Sequence, residues 1–532
     1  MRDPMTQGLA AGWDHIDGST LQSPRALECD VVIVGSGAGG GTAAEILSQR
    51  GLKVVLVEAG PLKTAADFVM QERVAYPDLY QQSAAMRTAD GAVAMLQGRC
   101  VGGSTTVNWT TSIRTPEPTL AHWRSEFGLD DLTPEVLMPW FEQAEQALNI
   151  HPWPVPPNAN NQALVDGCQQ LGWSYQVIRR NVRGCANLGY CGMGCPINAK
   201  QSMLVTTIPA ALAAGTTLLS HTEAWQLEHD GEQVARLHCL TRDSQHQRRS
   251  VGVTVSARHV VLCGGALHSP ALLMRSKAPD PHQRLGQRTF LHPTLLSLAR
   301  FAEPVAAHAG APQSIYSDQF LWPDGDGPFG YKLEAAPLHP VLLASKLPGL
   351  GQEHHRLMRH FDHLGIALAL VRDGFAEDSP GGRVSLDKFG DPVLDYPLSE
   401  RFWDTARHAF ERMTAMQFAA GAEAVMVAQD PAQWWHSAEE AALGIAQLQL
   451  APLQTTVASA HIMGGCTMAA TPQQGVVDAS GRHHQLRNLS VLDGSVLPTS
   501  LGANPQLTLY ALARRNAHAL ADRLLAPSDA AA

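Results

Sequence analysis

Three groups of residues in this chain have types and spacings that could do chemistry. The first is Gly35-x-Gly37-x-x-Gly40, followed about 20 residues later by Glu58. Glycines at these positions permit a tight turn, a close approach of backbone to pyrophosphate and close helix packing. A helix N-terminus behind them would add a positive dipole, and Glu58 could accept hydrogen bonds from ribose hydroxyls. The pattern alone does not choose between FAD and NAD. The second group is Cys185-x5-Cys191-x3-Cys195-Pro196, three thiols within the glycine-rich stretch 184–194. Thiolates gathered in one loop suit an iron–sulfur cluster, and the alternative is a set of packed free thiols. The third group is His354, His355, His360 and His363. These lack a His-Glu-x-x-His arrangement, and Glu353, Arg356 and Arg359 among them read as a solvated helix face.

The elements that must position these groups follow from periodicity. The apolar run 31–34, the glycines, the helical spacing of Ala43, Ile46 and Leu47, and the apolar run 54–57 form a βαβ unit. Pro152, Pro154, Pro156 and Pro157, with Asn158, Asn160 and Asn161, predict a surface loop between lobes. Residues 216–242 read as paired strands around Asp230-Gly231, and 260–263 as a buried strand. Residues 301–450 mix strands and helices, with a loop at Asp324-Gly325-Asp326-Gly327-Pro328. A long helix is expected over 507–525 and a frayed tail over 527–532.

Composition sets the outer limits. A chain of 532 residues, 45% of them hydrophobic, can bury a large core, which excludes global disorder. Its net charge of −10, with no long basic stripe, argues against nucleic acid as the main partner. Nine cysteines in this length argue against a secreted disulfide framework and for a reducing compartment. Residues 1–28 show no export signal, and no run of 18 apolar residues predicts a transmembrane helix. A cytoplasmic location is expected, with peripheral membrane contact left open.

Further motifs carry a resemblance. The run Gly98-Arg99-Cys100-Val101-Gly102-Gly103-Ser104-Thr105-Thr106-Val107-Asn108 places a glycine pair where backbone passes close to a flat or phosphorylated ligand. It resembles the first signature of the glucose-methanol-choline (GMC) family of FAD-dependent alcohol oxidoreductases. Ser112 departs from the aromatic residue or alanine more usual there. Gly265-Ala266-Leu267-His268-Ser269-Pro270-Ala271-Leu272-Leu273 resembles the second signature, but Ser276-Lys277-Ala278-Pro279 replaces its Ser-Gly-x-Gly ending. The C-terminal part is similar in order and spacing, through Ser459-Ala460-His461, Gly475-Val476-Val477-Asp478, Asp493-Gly494-Ser495 and Gly502-Ala503-Asn504-Pro505-Gln506. Together the resemblances span 29–525.

The resemblance implies an α/β (α+β) fold. A Rossmann-like FAD-binding domain would be assembled from 29–120, 200–300 and 455–526. A substrate domain on an antiparallel sheet with helices would be inserted as 121–199 and 301–454. FAD is the implied cofactor, held by Gly35, Ser36, Gly37, Gly40, Glu58, Ala59, Gly102, Gly103, Ser104, Asn108, Ala224, Asp493, Gly494 and Gln506. His461 and Asn504 are the implied catalytic pair, on an alcohol substrate. His461 would take the hydroxyl proton, which suits an imidazole titrating near pH 6.5, while an amide at Asn504 would hold the developing alkoxide. Hydride would move from carbon to flavin N5, leaving an aldehyde or ketone. Asn108-Trp109-Thr110-Thr111-Ser112-Ile113-Arg114 and Ser459-Ala460-His461 look most like the long-chain alcohol oxidase branch, and 333–347 and 364–371 could wall an apolar pocket or be ordinary core. Cys185, Cys191 and Cys195 resemble the spacing of GMC dehydrogenases that carry a three-iron (3Fe-4S) cluster. That alternative would pass electrons from a sugar or polyol to a cytochrome or quinone partner. The alcohol oxidase branch shows the same Cys-Gly-x-Gly-Cys element.

Overall fold

The run of buried valine and isoleucine at Val31, Val32 and Ile33 lies in the middle of a sheet, where β-branched side chains pack on both faces. In this computed structural model, which describes residues 3–323, 327–347 and 349–526, the strand Arg25–Val34 pairs in parallel with Val54–Val57 and with Arg248–Leu262. The helix Ala38–Gln49 makes the crossover between the first two. Thr217–Ser220 extends the sheet beyond Val54–Val57, and His15–Asp17 edges it. On the other side Val234–Arg242 and Thr222–His229 add an antiparallel meander, and Leu489–Val491 joins Arg248–Leu262 in parallel. The turn between Thr222–His229 and Val234–Arg242 passes through Gly231 at φ +99°, in line with the hairpin expected around Asp230-Gly231.

A second sheet is antiparallel except at one edge. Its order is Val93–Met95, Val457–Ser459, Thr294–Arg300, Leu364–Val371, Tyr331–Ala335, Ile315–Phe320 and Gln176–Val177, with Ala424–Val427 also on Thr294–Arg300. Only Val93–Met95 and Val457–Ser459 pair in parallel. Leu364–Val371 is buried along its whole length. The helices Ala159–Leu171 and Glu400–Ala419 pack against this sheet. Their starts are set by local chemistry, since Asn158 and Ser399 accept the N–H of Asn161 and Phe402.

The proline–asparagine loop is shorter than its composition predicts: Ile150–Pro152 is a strand and Asn158 already caps a helix. The buried strand expected at 260–263 is the end of a fifteen-residue strand, Arg248–Leu262. The long C-terminal helix runs Gln506–Leu525 and packs on Ala38–Gln49 and on Pro134–Ala147. Residues Leu120 to Ile150 thus contribute to the core around the first sheet, and Val93, Met95, Leu295 and Val457 to the core around the second. The expected frayed tail at 527–532 and residues 324–326 of the expected loop lie outside the described residues. No described helix is long and apolar enough to cross a membrane.

Candidate active site

The glycines of the first motif divide into two kinds. A Cβ on Gly39 would lie 1.7 Å from the Leu492 carbonyl oxygen, and one on Gly40 would lie 1.8 Å from that of Gly35. These two let helix Ala38–Gln49 sit against the neighbouring chain. At Gly37 the nearest atom to an added Cβ is Gly103 Cα, 3.9 Å away, so its backbone is open. Gly37 precedes the helix and no side chain caps its first turn, which leaves N–H donors and a positive dipole for a ligand.

Gly35, Gly37, Glu58, Gly103, His461 and Asn504 line one cavity of about 400 Å³, in the range of ligand sites. Ser36, Ala59, Ser104, Asn108, Ala224, Asp493, Gly494 and Gln506 line it as well. Gly40 and Gly102 do not. Gly40 serves helix packing, while Gly102, at φ +90°, turns the chain and donates its N–H to Ser36 Oγ at 2.9 Å. Of the residues expected around a dinucleotide, these two therefore act from behind the cavity wall.

The polar wall residues Glu58, Asp493, Asn108 and Gln506 are held by hydrogen bonds. Glu58 Oε2 accepts Ser36 Oγ–H at 2.6 Å and Ser36 N–H at 3.1 Å, and Oε1 accepts Gly60 N–H at 2.9 Å. Burial pushes its carboxyl pKa up. Asp493 is saturated in the same way, by Gly265 N–H and Ser269 Oγ–H on Oδ2 and by Ser495 N–H and Oγ–H on Oδ1. Asn108 and Gln506 bond each other: Asn108 Nδ2 donates to Gln506 Oε1 at 2.7 Å. Gln506 Nε2 donates to the Thr111 carbonyl and to Ser112 Oγ. Ser112, the departure from the family pattern, is thus a hydroxyl acceptor for Gln506.

His461 follows the strand Val457–Ser459, and Ser459 braces it by accepting the His461 N–H and donating to its carbonyl. Its ring meets His292 edge-on, with Nδ1 to Nδ1 at 2.9 Å. His292 Nε2 accepts the Gly502 N–H at 3.1 Å. Burial lowers the His461 pKa to about 4. Asn504 is buried, and its Oδ1 has no hydrogen-bond partner.

Several residues on or behind the cavity wall belong to no motif. Lys200 is fully buried and donates to the carbonyls of Thr106, Asn108 and Cys191, which fixes the turn Gly103–Thr106 beneath the cavity. His292 and the buried Glu334 belong to no motif that singled them out. Leu338, Leu342, Leu343, Ile366, Leu368 and Leu370 form an apolar wall. They come from the runs 333–347 and 364–371, so those runs serve both core and cavity.

The donor set fits FAD: an uncapped helix N-terminus with open glycine backbone, an acidic residue at a strand end, and an apolar wall on the same cavity. The iron–sulfur reading is not supported. Among the described residues no three His, Cys, Asp or Glu side chains are arranged to hold a metal, Cys185, Cys191 and Cys195 included, nor are the histidines at 354–363. Arg180 donates instead to Cys191 Sγ, the Asn187 N–H points to Cys185 Sγ, and burial pushes the Cys185 thiol pKa up rather than down.

The chain is similar to known proteins along most of its length. The profile described as GMC oxidoreductase matches residues 76–294 and 378–513, and that described as FAD binding domain matches 30–68. An uncharacterized GMC-type oxidoreductase of Sinorhizobium fredii is 29% identical over 94% of this chain and 96% of its own length. One from Mycobacterium tuberculosis is 31% identical over 93% and 76%. The long-chain-alcohol oxidase FAO4A of Arabidopsis thaliana is 26% identical over 94% and 69%. Two solved structures share the fold: pyridoxine 4-oxidase from Mesorbium loti (TM-score 0.66, 21% identity, 92% of this chain and 99% of that one) and formate oxidase from Aspergillus oryzae (0.70, 16%, 94% and 99%).

Proposed function

This chain belongs to the GMC oxidoreductase family, and from that premise we propose that it oxidises the CH–OH group of an apolar alcohol to an aldehyde or ketone with FAD. The observation that carries the reading is the single cavity that joins Gly35, Gly37 and Glu58 to His461 and Asn504 and continues along the leucine wall. Gly35, Ser36 and Gly37, with the helix start behind them, would hold the pyrophosphate, and Glu58 the adenosine ribose. Gly103, Ser104, Asn108, Ala224, Asp493, Gly494 and Gln506 would complete the FAD site. When bound, FAD supplies the hydride acceptor.

The chain's own residues do the rest. His461 and Asn504 bracket the substrate oxygen and orient its carbon, which is the entropic part of the catalysis. The wall of Leu338, Leu343, Ile366 and Leu370 takes the apolar tail, at about 0.8 kcal/mol for each methylene buried. It also keeps water from the reacting atoms. The likeness to long-chain-alcohol oxidases favours a long aliphatic substrate over a sugar, as does the apolar wall.

Anaerobic bleaching of the holoenzyme's flavin, measured against a graded series of alcohols, sugars and sterols, tests this. Apolar alcohols are expected to bleach it with an efficiency that rises along the chain-length series. His461→Ala should slow bleaching by orders of magnitude while FAD stays bound. A holoenzyme that no member of the panel bleaches overturns the reading.

A further inference from the structure

Two cations lie buried behind the cavity. Lys200 and Arg180 are 2% and 0% exposed. Lys200 Nζ donates to the carbonyl oxygens of Thr106 at 2.7 Å, Asn108 at 2.9 Å and Cys191 at 2.6 Å. Three acceptors at this range call for three N–H groups, which only the ammonium has, since a neutral amine would turn its lone pair on one of the oxygens. Burial lowers the Lys200 pKa to about 8, which still leaves the ammonium at pH 7. Arg180, on the strand Arg179–Asn181, donates Nε–H to Thr110 Oγ1 at 2.8 Å and Nη2–H to Cys191 Sγ at 3.6 Å, and stacks on the Trp153 ring. Its Nη1 is buried without a partner. Among the described residues no carboxylate lies within ion-pair distance of either, whereas Arg242 and Arg248 share Glu223.

What lies in front of them gives the charge a use. Val107, Asn108, Trp109 and Thr110 line the cavity, and Lys200 and Arg180 grip the same stretch from behind. Asn108 is tied to Gln506, two residues beyond Asn504, so this wall adjoins the reacting end of the FAD site and not the pyrophosphate glycines. The groups facing Lys200 are Cys100, Cys191, Cys195 and Arg180. Burial pushes the Cys100 thiol up to about 12, so it supplies no negative charge. A buried cation without a counter-ion is costly, and the cost falls when an anion arrives in front of it. In low-dielectric surroundings a unit charge acts across one layer of chain, with little screening by salt.

We propose that Lys200 and Arg180 hold the charge that the flavin gains on reduction, and so raise the two-electron potential of bound FAD. This rests on the FAD site read above and not on the choice of alcohol. As the substrate carbon is oxidised, its hydrogen leaves with the C–H electron pair and bonds to flavin N5, while the hydroxyl proton goes to His461. The oxidised ring is neutral, so the hydride leaves one negative charge on it. The two cations gain nothing from the neutral ring and are compensated by the anion, which is the differential binding that moves an equilibrium. Lys200 thereby does more than fix the turn Gly103–Thr106.

Anaerobic redox titration of the holoenzyme at pH 7 against a reference dye tests the proposal without any substrate. The wild-type midpoint potential should lie above that of free FAD measured in the same cell. Lys200→Met and Arg180→Met should each shift the reduced-to-oxidised equilibrium toward the oxidised flavin by about tenfold or more, which is about 30 mV for two electrons. Arg180→Lys keeps the charge and should stay with the wild type. A residue that only braced the chain would lower stability or FAD retention and leave the potential where it was, so flavin-loaded Met variants at the wild-type potential overturn the proposal. A higher potential in Cys191→Ser also overturns it, because the Cys191 sulfur would then be the counter-ion of the two cations. Should both Met variants fail to fold or to hold FAD, the comparison with free FAD decides, and a wild-type potential at or below that of free FAD overturns the proposal. If no alcohol bleaches the flavin, the alcohol reading fails on its own and these titrations are unaffected.

Discussion

Burying two facing imidazoles costs the protein acid stability, and the sign follows from linkage. His461 titrates near 4 in the folded chain and His292 lower than the ordinary range, whereas both return to about 6.5 when unfolded. As pH falls from about 6.5 toward 4 the unfolded chain binds protons that the folded chain refuses, so folding free energy declines by up to about 1.4 kcal/mol per pH unit for each such histidine. Urea unfolding of the wild type and of His461→Asn at pH 7 and pH 5 should therefore show a shallower loss in the variant, and equal losses would mean that the ring is charged in the folded state. His461 and Asn504 were legible in the sequence because they sit in ordered motifs. Glu334 was not. In Tyr331–Ala335 it reads as the polar member of an ordinary strand, and its burial comes from Gln313 and Asn504, about 20 and 170 residues away in the chain. Lys200 and His292 were hidden for the same reason, since Thr106 and Asn108 for the one, and His461 and Gly502 for the other, lie about 90 to 210 residues away.

The element that positions the dinucleotide is the helix Ala38–Gln49, and its glycines separate two effects that a motif merges. Gly37→Ala should leave folding almost unchanged, because no protein atom lies within 3.9 Å of the new methyl, yet that methyl would stand in the space meant for the ligand and weaken FAD retention. Gly39→Ala should do the opposite first: with a carbonyl oxygen 1.7 Å from the new Cβ, the helix must move, at a cost of about 1–3 kcal/mol. Urea midpoints and flavin content of the two purified variants distinguish them, and identical behaviour would refute the division. Strand, glycine turn, helix and strand were readable because two continuous apolar runs flank a glycine turn and a stretch of helical spacing within 30 residues. The strand Arg248–Leu262 was read only at its end. Its first ten residues carry arginines and serines that look like surface, and they are recruited into the sheet by Arg25–Val34 and Val234–Arg242 on either side. Asn158 was read as loop, although the same side chain caps a helix once Ala159–Leu171 follows it.

At the scale of the molecule, two sheets built from interleaved segments meet across one cavity, so the ligand that fills it touches both. Residues of the first sheet's turns, Gly35 and Glu58, and residues of the second sheet, Leu368 and Leu370, face the same space. The order of motifs along the chain implied such interleaving. It did not reveal that Thr294–Arg300 and Val457–Ser459, expected with the nucleotide elements, are strands of the second sheet. A ligand bound only by the folded chain adds RT ln(1 + [L]/Kd), about 4 kcal/mol at a thousandfold excess over Kd. Because FAD would bridge both sheets, that stabilisation should reach the whole fold and not one half of it. Stripping the flavin should lower the melting temperature, and titrating FAD back should raise it steadily with the logarithm of free FAD. Near-ultraviolet circular dichroism and tryptophan fluorescence should move together, because Trp123 packs in the first core and Trp435 in the second. If only the Trp123 side responded, the second sheet would fold independently of the cofactor. The wall of Ile366, Leu368 and Leu370 would then be positioned by its own sheet alone, and FAD binding would have no part in assembling the site.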